Sequence, residues 1–199
     1  AFYNRYNLTS IVIPNSVTSI GKLAFYDCSS LTSITIPNSV TDIGEEAFSG
    51  CESLERIVIP NSVTSIEKLV FAGCESLERI VVPNSVISIG KEAFAACYSL
   101  ISVDIPSSVT NMEYDAFYGC RNLTSINVDI NNQYYKSIDG NLYTKDGTKL
   151  IQYAIGKSDT SFVVPDSVTS IEHRAFSFCK SLTSIEIPTS RVVVLRHLA

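Results

Sequence analysis

One 23-residue unit, clearest over residues 31–53 as L-T-S-I-T-I-P-N-S-V-T-D-I-G-E-E-A-F-S-G-C-E-S, constrains what this chain can fold into. Prolines recur at Pro14, Pro37, Pro60, Pro83 and Pro106, and phenylalanines at Phe25, Phe48, Phe71, Phe94 and Phe117. Cysteines follow at Cys28, Cys51, Cys74, Cys97 and Cys120. A unit this short cannot bury its apolar side alone. Copies must therefore stack and share one core, which makes a solenoid.

Within the unit, Ile34 and Ile36 are two residues apart and point to one side of a short strand, while Ser33 and Thr35 point to the other. Leu31 enters the same core from the preceding bend. Pro37 brings no backbone donor, so it ends the strand where the chain must turn. Stacked copies predict one parallel sheet with strands about 4.8 Å apart. On the return, Val40 and Ile43 anchor a short extended piece and Gly44 suggests a turn. Residues 45–49 are expected to form about one helical turn, with Ala47 and Phe48 facing inward and Cys51 filling the last corner. The convex side is thus predicted to carry short extended and helical segments.

These motifs resemble the BspA-like, or treponemal cell-surface, class of leucine-rich repeats. The resemblance is carried by LTSIVIPNSVTSIGKLAFYDCSS at residues 8–30 and by the two units after it, with proline following the strand and A-F-x-x-C closing each unit. It covers nearly the whole chain. It implies a leucine-rich repeat solenoid with a parallel β-sheet on its concave face. It also implies a non-enzymatic, extracellular or cell-surface recognition module used in protein binding or in host or matrix adhesion. A passive spacer presenting another domain is the alternative, and an enzyme a remote third, because the hydroxyl residues are spread at repeat intervals instead of converging.

The chain reads as a single domain over residues 1–199. It opens in mid-unit, with Ala1 and Phe2 where Ala24 and Phe25 recur, which suggests a piece of a longer protein. The period breaks at Asp129, which stands where a proline is due, and the next matching proline is Pro165. This long coil, residues 129–158, holds Asp139-Gly140 and Asp146-Gly147, both favourable hairpin centres. A small antiparallel insertion is expected, with strands near 134–138, 141–145 and 148–153. The repeat then resumes through Phe162, Val164, Val168, Ile171, Phe176 and Cys179, for eight concave strands in all. Past Pro188 it fades: Arg191 falls where an inward valine is due, and residues 192–195 either cover the open end of the core or form the irregular tail of a truncated repeat.

Little in the chain suggests catalysis. The six cysteines, including Cys179, form a file of small inward side chains, and buried free thiols are preferred to disulfides or a metal site. Phe25, Phe48, Phe71, Phe94, Phe117 and Phe176 are assigned to the core beside them. His173 and His197 are read as surface residues, and the serines before each valine as partners of turn backbone. Asn127, Asp129, Asn131, Asn132 and Asp139 are oxygen-rich, but a hydrophilic turn is preferred to calcium because their order does not fit the helix-loop-helix pattern. No cofactor is implied.

Function is better sought at positions the repeat leaves free. One outward row contains Arg56 and Arg79 on adjacent strands, with Glu55 and Glu78 beside them, and the next contains Val58, Val81 and Asp104. This mixed patch is the candidate for binding a protein or glycoprotein, extracellular matrix included, the alternative being a solvated sheet face that uses β-branched residues for strand propensity. The net charge of −5, from 15 basic and 20 acidic residues, argues against a nucleic-acid surface. No apolar run approaches the roughly 18 residues that would insert directly in a membrane.

Overall fold

The computed structural model describes residues 1–188 and the backbone of 193–194. The first strands are β1 (Ser10–Val12), β2 (Ser19–Ile20), β3 (Ser33–Thr35), β4 (Asp42–Ile43), β5 (Arg56–Val58) and β6 (Ser65–Ile66). They are followed by β7 (Arg79–Val81), β8 (Ser88–Ile89), β9 (Ser102–Ile105), β10 (Asn111–Met112), β11 (Ser125–Val128) and β12 (Tyr135–Ile138). The last are β13 (Asn141–Thr144), β14 (Lys149–Gln152), β15 (Ser161–Val163), β16 (Ser170–Ile171), β17 (Ser184–Glu186) and β18 (Val193–Val194). Arg191, Val192, Leu195 and His197 lie outside the described residues.

Each regular coil contributes two strands to two parallel ladders. The concave ladder runs β1-β3-β5, then β7-β9-β11, and is taken up again by β15-β17. Its register steps by one repeat, with Ile11 beside Ile34 and Ile34 beside Ile57. Along the other side run β2-β4 and β6-β8-β10, built from the T-x-I part of each unit. Alternation places the isoleucines inside and the intervening serines, arginines and valines outside, so β3, β5 and β7 each expose their first and third residues.

The convex side corrects the sequence expectation, because no helix forms among the described residues. Residues 45–49 instead lie in a chain of tight turns. Ala47, Ser49 and Cys51 N–H groups donate to the Gly44, Glu46 and Phe48 carbonyls three residues back. The N–H groups between them, from Glu46, Phe48 and Gly50, donate to Lys68, Val70 and Ala72 of the next coil. Glu46 and Gly50 have φ of 58° and 75°. Two left-handed residues within five interrupt any α-helix, and the released N–H groups stitch neighbouring coils together instead. The same φ recurs at Leu23, Leu69, Glu92 and Asp115, so each regular coil spends its helical residues this way.

The core follows the stacking. Phe25, Phe48, Phe71, Phe94 and Phe117 form a column with ring centroids 5.2 to 5.8 Å apart and planes within 9° of parallel. Cys28, Cys51, Cys74, Cys97 and Cys120 are fully buried and free. Each thiol donates to the phenylalanine carbonyl of the preceding coil, as Cys74 does to Phe48 at 3.3 Å. Burial pushes the Cys51 thiol up to about 12 and raises those of Cys74 and Cys97 as well. Phe176 and Cys179, in the last coils, are only partly buried.

The long coil breaks the column. β12, β13 and β14 form an antiparallel sheet, and β14 then pairs in parallel with β16, returning the chain to the second ladder. The β12–β13 turn uses Asp139 and Gly140, at φ 48° and 74°. The Gly140 carbonyl accepts the Ile126 N–H at 2.8 Å, so the hairpin tip sits beside β11 where the next concave strand would lie. Accordingly the buried core divides into a large cluster reaching Leu142 and a smaller one of Tyr143, Leu150, Val164, Val168, Ile171 and Ala175.

Candidate interaction surface

The concave face over β5 and β7 is banded. Leu54 and Leu77 are buried; then come exposed Glu55 and Glu78, exposed Arg56 and Arg79, exposed Val58 and Val81, and, past the prolines, exposed Asn61 and Asn84. Val58 is 71% and Val81 68% exposed, high values for apolar side chains that strand alternation turns outward. The bands repeat because the two units share L-E-R-I-V-x-P-N-S-V. Among the described residues, neither arginine forms an ion pair with Glu55 or Glu78, so two guanidinium groups stand unpaired.

Beside the valines lies a depression of about 460 Å³ running from Asn38 to Asn84. A second, of about 360 Å³, shares Val81, Val82 and Asn84 with it and continues to Asp104, Asn127 and Asp129. Asp104 accepts from the Asn127 amide at 2.9 Å, and Ser125 donates to Asn127 Oδ1 at 2.5 Å. Asp129 caps its own loop by accepting the Asn131 N–H at 2.8 Å. The sequence patch of Glu55, Arg56, Val58, Glu78, Arg79, Val81 and Asp104 thus lies on one face, with the carboxylate of Asp104 at its far end.

Most of the other candidates for chemistry have structural partners, although the buried Ser108 hydroxyl, expected to bond turn backbone, finds none among the described residues. Ser39, Ser62 and Ser85 donate to the Val17, Val40 and Val63 carbonyls of the coil before at 2.5 to 2.7 Å. Asn132 is fully buried at the position where other coils carry valine. Its Nδ2 donates to the Pro106 and Val109 carbonyls at 2.9 Å, and its Oδ1 accepts the Tyr134 and Tyr135 N–H groups. That amide is saturated and offers no oxygen to a cation. Among the described residues, no group of three or more His, Cys, Asp or Glu side chains is arranged to hold a metal. His173 is half-buried near Asp115, not fully on the surface.

Sequence reasoning placed Asn132 in a hydrophilic turn and missed its burial, although the signal was present: counting 23 onward from Val109 puts a polar residue in an inward register. It also missed a clasp on the convex side. There Arg174 meets Asp115 at 3.2 Å and stacks over Tyr118, while Tyr118 packs edge-on against Phe178 at 5.2 Å. These residues are far apart in the chain, and nothing in the repeat pairs them.

A family profile for the BspA-type leucine-rich repeat region matches residues 1–124 and 151–196, in six copies. The chain belongs to this family. The gap in the match falls on β11 to β13 and the start of β14, where the hairpin replaces the repeat. A leucine-rich repeat protein from Eubacterium ventriosum superposes with a TM-score of 0.85 at 28% identity, covering 96% of this chain and 50% of that one. A leucine rich cell surface protein from Faecalibacterium prausnitzii gives 0.70 at 33% identity, over 94% and 56%. The leucine-rich repeat protein of Treponema pallidum gives 0.61 at 28%, over 89% and 69%. The chain thus spans about half the length of the first two. A search of curated proteins finds no match. Members of this repeat family commonly mediate protein binding, and among the described residues no helix is long and apolar enough to cross a membrane.

Proposed function

We propose that this chain is a non-catalytic recognition module, displayed at a cell surface or secreted, that binds a protein or glycoprotein through the concave face of β5, β7 and β9, with host or matrix adhesion as its use. The observation that carries this reading is the pair of unpaired arginines, Arg56 and Arg79, set beside exposed Val58 and Val81. Desolvated apolar area with arginine beside it is the composition of interface cores. The surface description printed for the Faecalibacterium relative supports the location. Binding of the purified chain to a panel of matrix proteins tests the reading. Saturable binding lost in Arg56→Glu/Arg79→Glu supports it, and no saturable binding by the intact chain counts against it.

A passive spacer is the second reading, favoured by the regular solenoid and by its covering only half of its longer relatives. It requires that the double arginine variant behave as the parent in every binding assay.

A further inference from the structure

The banded patch borders the groove formed by its two adjoining depressions, and among the described residues the exposed polar side chains there have few protein partners. We propose that this groove takes an extended polypeptide segment with an acidic residue over Arg56 and Arg79, aliphatic side chains over Val58 and Val81, and a basic residue over Asp104 and Asp129. The proposal rests on the recognition reading above and names the occupant of the same face.

Three observations point to this occupant. Asn38, Asn61 and Asn84 are exposed along one rim, and among the described residues their carboxamides make no hydrogen bond. A carboxamide carries both donors and an acceptor, the same complement as a peptide group. An extended backbone outside any sheet needs such partners for its own N–H and C=O. The floor is aliphatic: Val58 and Val81 are exposed above buried Ile57 and Ile59, and no aromatic ring lines either depression to stack on a sugar. The charges are also ordered along the solenoid axis. Among the described residues, Arg56 and Arg79 on the third and fourth coils have no anionic partner, and Asp104 and Asp129 on the fifth and sixth have no cationic one. That order is complementary to a segment that runs from acid to base.

The dimensions agree. Coils stack about 4.8 Å apart, so the four steps from Asn38 to Asn127 span roughly 19 Å, or about six extended residues. The hairpin tip at Gly140 lies against Ser125 and limits the concave face at that end. Beyond it stands the separate sheet of β15 and β17, which is not hydrogen-bonded to β11.

The test is selection of a displayed random dodecapeptide library on the intact 199-residue chain. Synthetic copies of the enriched peptides are then titrated by fluorescence anisotropy against the parent, Asn61→Ala/Asn84→Ala and Asp104→Lys. These positions are exposed, and unchanged thermal unfolding verifies that each variant folds. The expected result is a consensus in which acidic and aliphatic residues, in either order, precede a basic one, bound roughly tenfold more weakly by the double asparagine variant. Repeating the selection on Asp104→Lys should replace the basic residue with an acidic one. No enrichment, a consensus lacking this order, or affinities untouched by both variants would overturn the proposal. Matrix-protein binding that is lost in Arg56→Glu/Arg79→Glu but unaffected by the asparagine pair would leave the recognition reading standing and remove the peptide groove.

Discussion

The five regular coils and the long sixth coil satisfy their buried polar groups differently. In the regular coils the inward positions are apolar, the phenylalanine rings stack in parallel, and convex backbone N–H groups alternate between carbonyls three residues back and carbonyls of the next coil. At the sixth coil stacking fails, because the hairpin tip displaces a concave strand. There buried polar side chains take over: Asn132 caps two turns at once, and Gln152 donates to the Tyr153 and Ala175 carbonyls at 2.9 and 3.0 Å. Tyr153 donates its N–H to Ala175 with the offset that Phe94 uses toward Ala116, and so stands at the phenylalanine position. Its ring meets Phe162 at 66° and Phe176 at 33°, not in parallel. A regular coil satisfies its backbone by pairings that recur at every step, small serine and cysteine donors included, whereas the interruption uses the larger amides of Asn132 and Gln152 where those pairings are lost.

Substitutions at four sites would break or sharpen this contrast. The largest effect is expected in the column, where Phe71→Ala removes a fully buried ring held between Phe48 and Phe94 and should cost about 3–5 kcal/mol in denaturant unfolding. In the sixth coil the informative change restores the repeat. Asn132→Val puts back the residue the period demands, yet it should cost about 2–4 kcal/mol by stripping partners from two carbonyls and two N–H groups. If that variant matches or exceeds the parent in stability, the side-chain account of the interruption is wrong.

The convex clasp comes next. Burial holds the Asp115 carboxyl above the usual carboxylate range, while Arg174 and His173 pull it back down. Arg174→Ala should cost about 1–2 kcal/mol near neutral pH. A raised carboxyl favours folding most when protonated, and that contribution is lost as pH rises through its folded pKa. The deficit of Arg174→Ala should therefore shrink as pH falls through the Asp115 titration, since a protonated carboxyl needs no cation. Unfolding curves at several pH values, with the Asp115 carboxyl followed by NMR, would show this.

The smallest effect is expected at the cysteine file. From sequence, Cys74→Ser should be worse than Cys74→Ala, because a buried hydroxyl lacks a partner. The Phe48 carbonyl 3.3 Å from the Cys74 thiol supplies one. Serine and alanine should thus each cost about 1 kcal/mol, with serine no worse. Slow labelling of Cys74 in the native protein, measured in parallel, would support its burial.

The period of 23 was enough to place the solenoid, the concave strands, the inward phenylalanines and cysteines, and the outward row holding Arg56, Val58, Arg79 and Val81. Each of these follows from side-chain alternation within a unit and identity between units, and both are local properties of the sequence. The convex turns were not legible. The E-E-A-F-S stretch has good helical propensity, and only stacking at one coil per step decides that its N–H groups pair between coils, which requires the left-handed Glu46 and Gly50. Tertiary structure alone likewise brought Arg174 to Asp115, 59 residues away, and left the amides of Asn38, Asn61 and Asn84 along one groove without partners among the described residues. Sequence periodicity says which residues share a row; whether a row finds a neighbour to bond with depends on what the fold packs against it.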